Sequence, residues 1–188
     1  MPAAVFPALL LGGVAVYAYL RGRDEADDST REDDDEVTEY EGVTIYDALD
    51  DLIDTSLGWP YAWGGGSPST PWTDGARGVD CSGYVQMCLV LLGILSDTST
   101  RTNSLGLANG SDAVPVGQQR VGDFAYYPGH VMLVAGPPGP DGHSAVIGAS
   151  GGDSSTHGDD PNARVKLFRN AATYRGDFVC YARIKRAS

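Results

Sequence analysis

The sequence predicts an α+β fold, on three observations. Apolar side chains recur at helical spacing over residues 44–57. An apolar run unbroken by proline fills 84–95. Beyond residue 123, short β-prone segments alternate with turns rich in Gly, Pro and Asp. Helices followed by a meander of strands is the pattern of that class. At 188 residues the chain is long enough for one domain of ordinary size with a substantial core.

The N-terminus is different in kind. Residues 2–20 carry no charge and are followed by Arg21 and Arg23, and an apolar stretch of roughly this length just crosses a bilayer. Nothing basic precedes the run, as it would in a cleaved signal, so residues 1–23 are expected to form an uncleaved transmembrane anchor with a basic flank, with a cleaved signal and a buried N-terminal helix as the alternatives. Residues 24–41 hold eleven acids against the single base Arg31, which reads as a self-repelling, extended linker. The first 41 residues thus set three arginines against eleven acids, −8 of the chain's −12. The acidity belongs to the tether, and no basic face for nucleic acid is left. Residues 42–188 are expected to be the folded domain.

Within that domain, Ile45, Leu49, Leu52 and Ile53 form the apolar stripe of a helix over 44–57. The Gly/Pro/Ser/Trp-rich segment 58–78 is a loop suited to line a cleft. Residues 84–95 (YVQMCLVLLGIL) read as a buried central helix, and the polar segment 96–116 as loop with a short helix. Strands are expected at about 124–127, 131–135, 144–149, 164–168 and 178–183.

Cys81 lies in Gly78-Val79-Asp80-Cys81-Ser82-Gly83-Tyr84-Val85, just before the central helix. Asp80 and Ser82 are good helix-start residues. The thiol therefore falls in the first turn, where the partial positive charge of the helix end favours a thiolate. A thiol nucleophile needs a base to hold the thiolate and later protonate the departing amine. His130 follows a Pro-Gly turn and opens a strand, which fixes its side chain. Cys88 is seven residues further along the helix, about 10 Å from Cys81 and too far for a disulfide. Cys180, in the last strand, reads as core. His130, His143 and His157 show no metal-ligand spacing, and no cofactor is implied.

The segments YAWGGG (61–66), DCSGYV (80–85) and GDFAYYPGHVMLVAG (122–136) resemble the NlpC-type papain-like cysteine peptidases, which cut peptides in bacterial cell walls. The resemblance runs from about residue 46 to the C-terminus. The stretches VIGASGG (146–152) and ARVK (163–166) resemble the phage-borne lysin branch. The resemblance implies a papain-like domain in which a central helix carrying the cysteine packs on an antiparallel sheet. It implies hydrolysis of an amide bond in the peptidoglycan stem peptide, with Cys81 as nucleophile and His130 as general base. Tyr61 would help shape the oxyanion site, and Asp80 and Ser82 would meet the amine end of the stem peptide. The residues themselves leave other readings open: Tyr61 as a core aromatic, Asp80 and Ser82 as helix caps.

The family also places a third polar residue, often His, on the next strand to orient the base. Here that position is Gly148, which has no side chain. Ser150 lies two residues on and faces the same side of a strand, so it is the first substitute. His157, in a Gly/Ser/Asp-rich loop, is the alternative, and His143, in a turn, the third.

The anchor and the phage-like tail suggest a membrane-anchored lysin facing the cell wall, or held within a virion membrane among other virion proteins. Arg21 and Arg23 work against the first placement, because the positive-inside rule keeps their side cytoplasmic. A virion membrane, or later release of the anchor, removes the conflict. Two other functions stand beside hydrolysis. One is a wall-peptide-binding or structural membrane protein on the same fold, which Gly148 would explain. The other is a thiol acyltransferase or amidase acting on lipid or small amides. A side chain reaching the free nitrogen of His130 would favour hydrolysis.

Overall fold

The computed structural model describes residues 45–185. The anchor and linker expected over 1–41 lie outside the described residues. Among the described residues, no helix is long and apolar enough to cross a membrane.

Helix α1 (Ile45–Ser56) turns Leu49, Leu52 and Ser56 inward, on the stripe its periodicity predicts. Its last turn is fastened by Ser56, whose hydroxyl meets the Leu52 carbonyl at 2.7 Å and the Tyr84 hydroxyl at 2.8 Å. The central helix, α2 (Cys81–Leu91), starts three residues before the apolar run and stops four residues short of its end. Asp80 sets the start: it is extended (φ −94, ψ 175), and its carboxylate accepts from the Gly83 amide. Gly93 sets the stop. With φ +67 it lets the Ile94 amide reach back to the Leu89 carbonyl (2.8 Å) and its own amide reach Val90 (3.0 Å). This is a Schellman motif, hidden in the sequence by the apolar residues around the glycine. Every residue from Cys81 to Val90 is buried, so α2 is a core helix and not an amphipathic one.

Two short helices flank the sheet: α3 (Ser104–Asn109), the one expected in the polar segment, and α4 (Ala171–Tyr174), which the sequence did not signal. The six strands are β1 (Ser111–Val114), β2 (Phe124–Tyr127), β3 (His130–Val134), β4 (Val146–Ser150), β5 (Arg164–Phe168) and β6 (Cys180–Ile184). They form one antiparallel sheet in the order β1-β6-β2-β3-β4-β5. β1 was not expected. It is four residues long with one buried side chain, Val114, and it exists through pairing with the distant β6. Cys180 opens β6 half-buried, a departure from the core position expected of it.

The sheet is covered on both faces near its middle. On one face Val131, Leu133, Ile147 and Ala149 pack with Tyr84, Val85 and Leu89 of α2. On the other, Met132, Val134 and Val146 join Tyr127, Tyr181 and Ala171. Each fully buried aliphatic side chain contributes about 1.5–3 kcal/mol relative to exposure. All five residues of β3 are therefore inside, and the strand that His130 opens is held from both sides. The end of α2 that bears Cys81 is thereby brought against β3.

Candidate active site

Cys81 is the first residue of α2 and is 7% exposed. The backbone amides of Val131, of Ser82 and of Cys81 itself lie close enough to favour the ionised form of its sulfur. Val131 follows His130, so the strand that carries the imidazole also passes beside the thiol. His130 is 8% exposed.

The electrostatics differ from the sequence expectation of a helix-stabilised thiolate. Burial pushes the Cys81 thiol up, and the Asp80 carboxylate adds to this; the three amides pull it back only in part. Burial, helped by the Arg175 guanidinium and opposed by Asp177, holds the His130 imidazole down to about 4. At neutral pH the resting pair is a thiol and a neutral imidazole. The helix end is still there, but it is buried, and desolvation outweighs a partial charge.

Asp80 is fully engaged by the protein. One oxygen accepts from the Gly83 amide (2.7 Å) and the Ser82 hydroxyl (3.0 Å). The other accepts from the Gly64 amide (2.9 Å) and pairs with Arg101. Arg101 also donates to the Gly66 carbonyl at 2.7 Å. Asp80 thus caps the helix and ties the Gly64–Gly66 loop to it, and Ser82 turns its hydroxyl toward Asp80. Gly83 makes the close approach possible, since a Cβ there would fall 2.0 Å from the Gly65 carbonyl oxygen. Arg101 escaped the sequence reading: it is one arginine in a Ser/Thr-rich segment. Gln86, fully buried, brings it in by bonding both backbone groups of Thr102.

Tyr61 is buried, with its ring over Gly152, where a Cβ would come within 2.2 Å of it. Burial first, then the neighbouring Cys81, Asp80 and Asp153, push its hydroxyl far above the ordinary phenol range, so it stays protonated beside the thiol. On the same loop Trp63 is 55% exposed, the largest side chain the segment offers to solvent near this site.

The free nitrogen of His130 is reached by a residue the sequence did not single out. Nε2 lies 3.2 Å from the hydroxyl of Tyr174, and that hydroxyl lies 2.6 Å from Oγ of Ser150. Ser150, the first substitute for the missing side chain at 148, therefore stands behind His130 through Tyr174 and not against it. His143 is engaged elsewhere, with Nδ1 3.3 Å from the Tyr181 hydroxyl and its ring edge-on to Phe178. His157 is exposed, and its backbone bridges Ala62. Both are set aside as partners of His130, because Tyr174 occupies that nitrogen.

Comparison with known proteins gives three findings. The model of the NlpC/P60 family matches residues 58–187. Among curated proteins, dipeptidyl-peptidase 6 of Lysinibacillus sphaericus is 29% identical over 92 residues, 46% of this chain. The match spans only 29% of that protein's length. Among solved structures, the peptidoglycan hydrolase RipB of Mycobacterium tuberculosis superposes with a TM-score of 0.54 at 21% identity, covering 97% of this chain and 93% of its own. A NlpC/P60 protein of Bacillus cereus gives 0.45 at 23% identity, over 72% of this chain and 39% of its own.

Proposed function

The chain belongs to the NlpC/P60 family of papain-like cysteine peptidases, and from that membership we propose that it is an endopeptidase hydrolysing an amide bond in the stem peptide of peptidoglycan. One observation carries the reading: the Cys81 sulfur, at the start of a buried helix, lies beside the strand that begins with His130. A peptidase is also what the Lysinibacillus sphaericus relative is named for.

The mechanism follows from a neutral pair. As the Cys81 sulfur attacks the carbonyl carbon, its proton passes to His130. Charge develops on the carbonyl oxygen, where backbone N–H groups near Cys81 and the protonated Tyr61 hydroxyl stabilise it. His130 gives its proton to the leaving amine, and a thioester on Cys81 remains. Water, losing a proton to His130, attacks the thioester; the acid is released and the proton returns to the sulfur. Asp80 and Ser82 line the amine side of the cleft and fix the helix end. The open Gly-rich loop suits a peptide better than an acyl chain.

The test is digestion of purified peptidoglycan by the full chain beside Cys81→Ala, with products identified by mass. Muropeptides cut at one stem-peptide bond, absent with the variant, are expected. No release by the wild type across several wall types would overturn the reading.

The apolar run 2–20 would hold the domain at a membrane, and the acidic run 24–41 would extend it toward its substrate. The protein is then a membrane-anchored lysin, facing the wall or carried in a virion membrane with other virion proteins. Flotation of the full chain with anionic vesicles, lost on deleting residues 1–23, is the expected result. Equal flotation of the two would remove the anchor from the proposal.

A further inference from the structure

We propose that Tyr174 is the positioning residue for His130, with Ser150 fixing its hydroxyl, in place of the side chain that Gly148 lacks. The purpose rests on the hydrolase reading above; the geometry and its test do not.

The sheet explains why position 148 is empty. β3 and β4 pair Leu133 with Ile147 and Val134 with Val146. Carried on, that register sets Met132 opposite Gly148 and His130 opposite Ser150. The space at 148 agrees, since a Cβ there would fall 2.7 Å from the Met132 sulfur. The thioether fills the volume a side chain would need. Ser150, which falls opposite His130 on that extended register, bonds the phenol of Tyr174, and the phenol bonds His130.

Tyr174 is held for this task from several sides. Its helix, α4, is capped by Asn170, whose Oδ1 accepts from the amides of Ala172 (2.9 Å) and Thr173 (3.1 Å). The Ala171 amide donates to the Ser144 carbonyl (3.0 Å), and the Ala171 carbonyl accepts from the Tyr127 hydroxyl (2.8 Å). The Tyr174 ring lies 4.1 Å from that of Phe168 and edge-on to Tyr127 at 5.5 Å. Little rotational freedom remains, so the hydroxyl is preorganised between Ser150 and His130.

The hydrogen-bond bookkeeping closes in one direction. When Nδ1 is the base, Nε2 carries a proton and donates it to the Tyr174 oxygen. The phenol then donates to Ser150. When His130 takes the thiol proton, the imidazolium keeps the same bond, now charge-assisted and stronger. Tyr174 stays neutral throughout, because burial pushes its hydroxyl above the ordinary range. Besides burial, the groups that shift His130 are Arg175, after α4, and Asp177, before β6; Tyr174 bonds its Nε2, Ser150 on β4 bonds that phenol, and the Tyr127 ring of β2 lies 5.9 Å from the imidazole.

The experiment needs no substrate. Full-length wild type, Tyr174→Phe, Ser150→Ala and His130→Ala are treated with iodoacetamide between pH 4 and 10. Alkylation of the Cys81 peptide is followed by mass spectrometry. Wild type is expected to show a neutral-pH rate that His130→Ala abolishes, above which an alkaline limb rises as the thiol itself ionises. Tyr174→Phe should lower the neutral-pH rate about 5- to 10-fold, the worth of one hydrogen bond, and leave the alkaline limb in place. A merely structural defect would move both limbs. A Tyr174→Phe profile superimposable on wild type overturns the proposal. Should that variant not fold, Ser150→Ala decides in the same way, by a smaller loss at neutral pH or by none. If peptidoglycan stays intact while Tyr174 still controls the profile, the substrate reading fails and the positioning role stands.

Discussion

The backbone amide of Val131 lies close enough to the sulfur of Cys81 to favour its ionised form, so the strand that begins with His130 passes beside the thiol that imidazole is proposed to activate. The proposed nucleophile and base thus sit at the starts of a buried helix and a buried strand, and neither depends on a loop for its place. The same burial that fixes them keeps both uncharged, and pH is the variable that exposes this.

With His130 held down to about 4, the base is already neutral across the range from 5 to 8. Cleavage should therefore rise through about pH 4–5 and stay high toward alkali, where a raised thiol adds no descending limb. The measurement is kcat/KM on a soluble muropeptide from pH 3.5 to 9. An acid limb near 6.5 would mean that the imidazole is not desolvated in the working enzyme.

The same shift has a consequence for stability. The unfolded chain protonates His130 near 6.5, the folded chain near 4, so between those values the unfolded state binds more protons. Stability is fully present above about 6.5 and is lost as pH falls toward 4, by about 3 kcal/mol for a shift of this size. Urea midpoints of wild type and His130→Asn at pH 7 and pH 4.5 test this. The wild type should lose more on acidification; parallel losses would sink the idea.

Much of this site is legible in the sequence because its signals are local. DCSG marks a capped helix start, and Pro-Gly-His marks a strand start; in the structure these two starts meet. Tyr174 is not legible, because α4 is four residues long and the aim of its phenol is set by Phe168, Tyr127 and Ser150, all distant in sequence. β1 is hidden for a related reason: four residues with one inward side chain carry no period, and pairing with β6 creates the strand. The early end of α2 was readable in principle, since Gly93 is a stop signal, but the apolar residues on either side outweighed it. The expected thiolate failed on magnitude: a helix-end charge could be inferred from sequence, whereas the depth of burial could not.

Arg101 joins Asp80 at the helix cap to the Gly66 carbonyl, and so clamps the Gly-rich loop to the start of α2. Its side chain is 31% exposed, so solvent screens the ion pair in part. Arg101→Ala should cost about 1–2 kcal/mol in stability and raise KM more than it lowers kcat, because the loop loosens while the Cys81–Val131 contact remains. Arg101→Lys should rescue little, since a point charge cannot make both contacts. Urea melts and steady-state kinetics check both statements; a fall in kcat at unchanged KM would place Arg101 in a different role.

Gly148 offers the sharpest prediction, because it separates the pattern of the family from the geometry of this chain. Restoring a histidine there by Gly148→His would not restore an orienting group. The new Cβ would meet the Met132 sulfur at 2.7 Å, and the Met132 side chain would have to leave a packed face it shares with Val134, Val146 and Tyr127. Overpacking of this kind costs about 1–3 kcal/mol. The His130 nitrogen is already occupied by Tyr174, so the added imidazole has no vacant partner. Gly148→His alone should therefore be less stable and no more active than wild type. Joined to Met132→Ala and Tyr174→Phe, which clear the volume and free Nε2, the histidine should recover activity that Met132→Ala with Tyr174→Phe lacks. Such coupling is expected of residues in contact. Thermal melts and peptidoglycan digestion across this set provide the measurement. Higher activity from Gly148→His by itself would show that the phenol is a poor substitute and that His130 prefers the partner this sequence has lost.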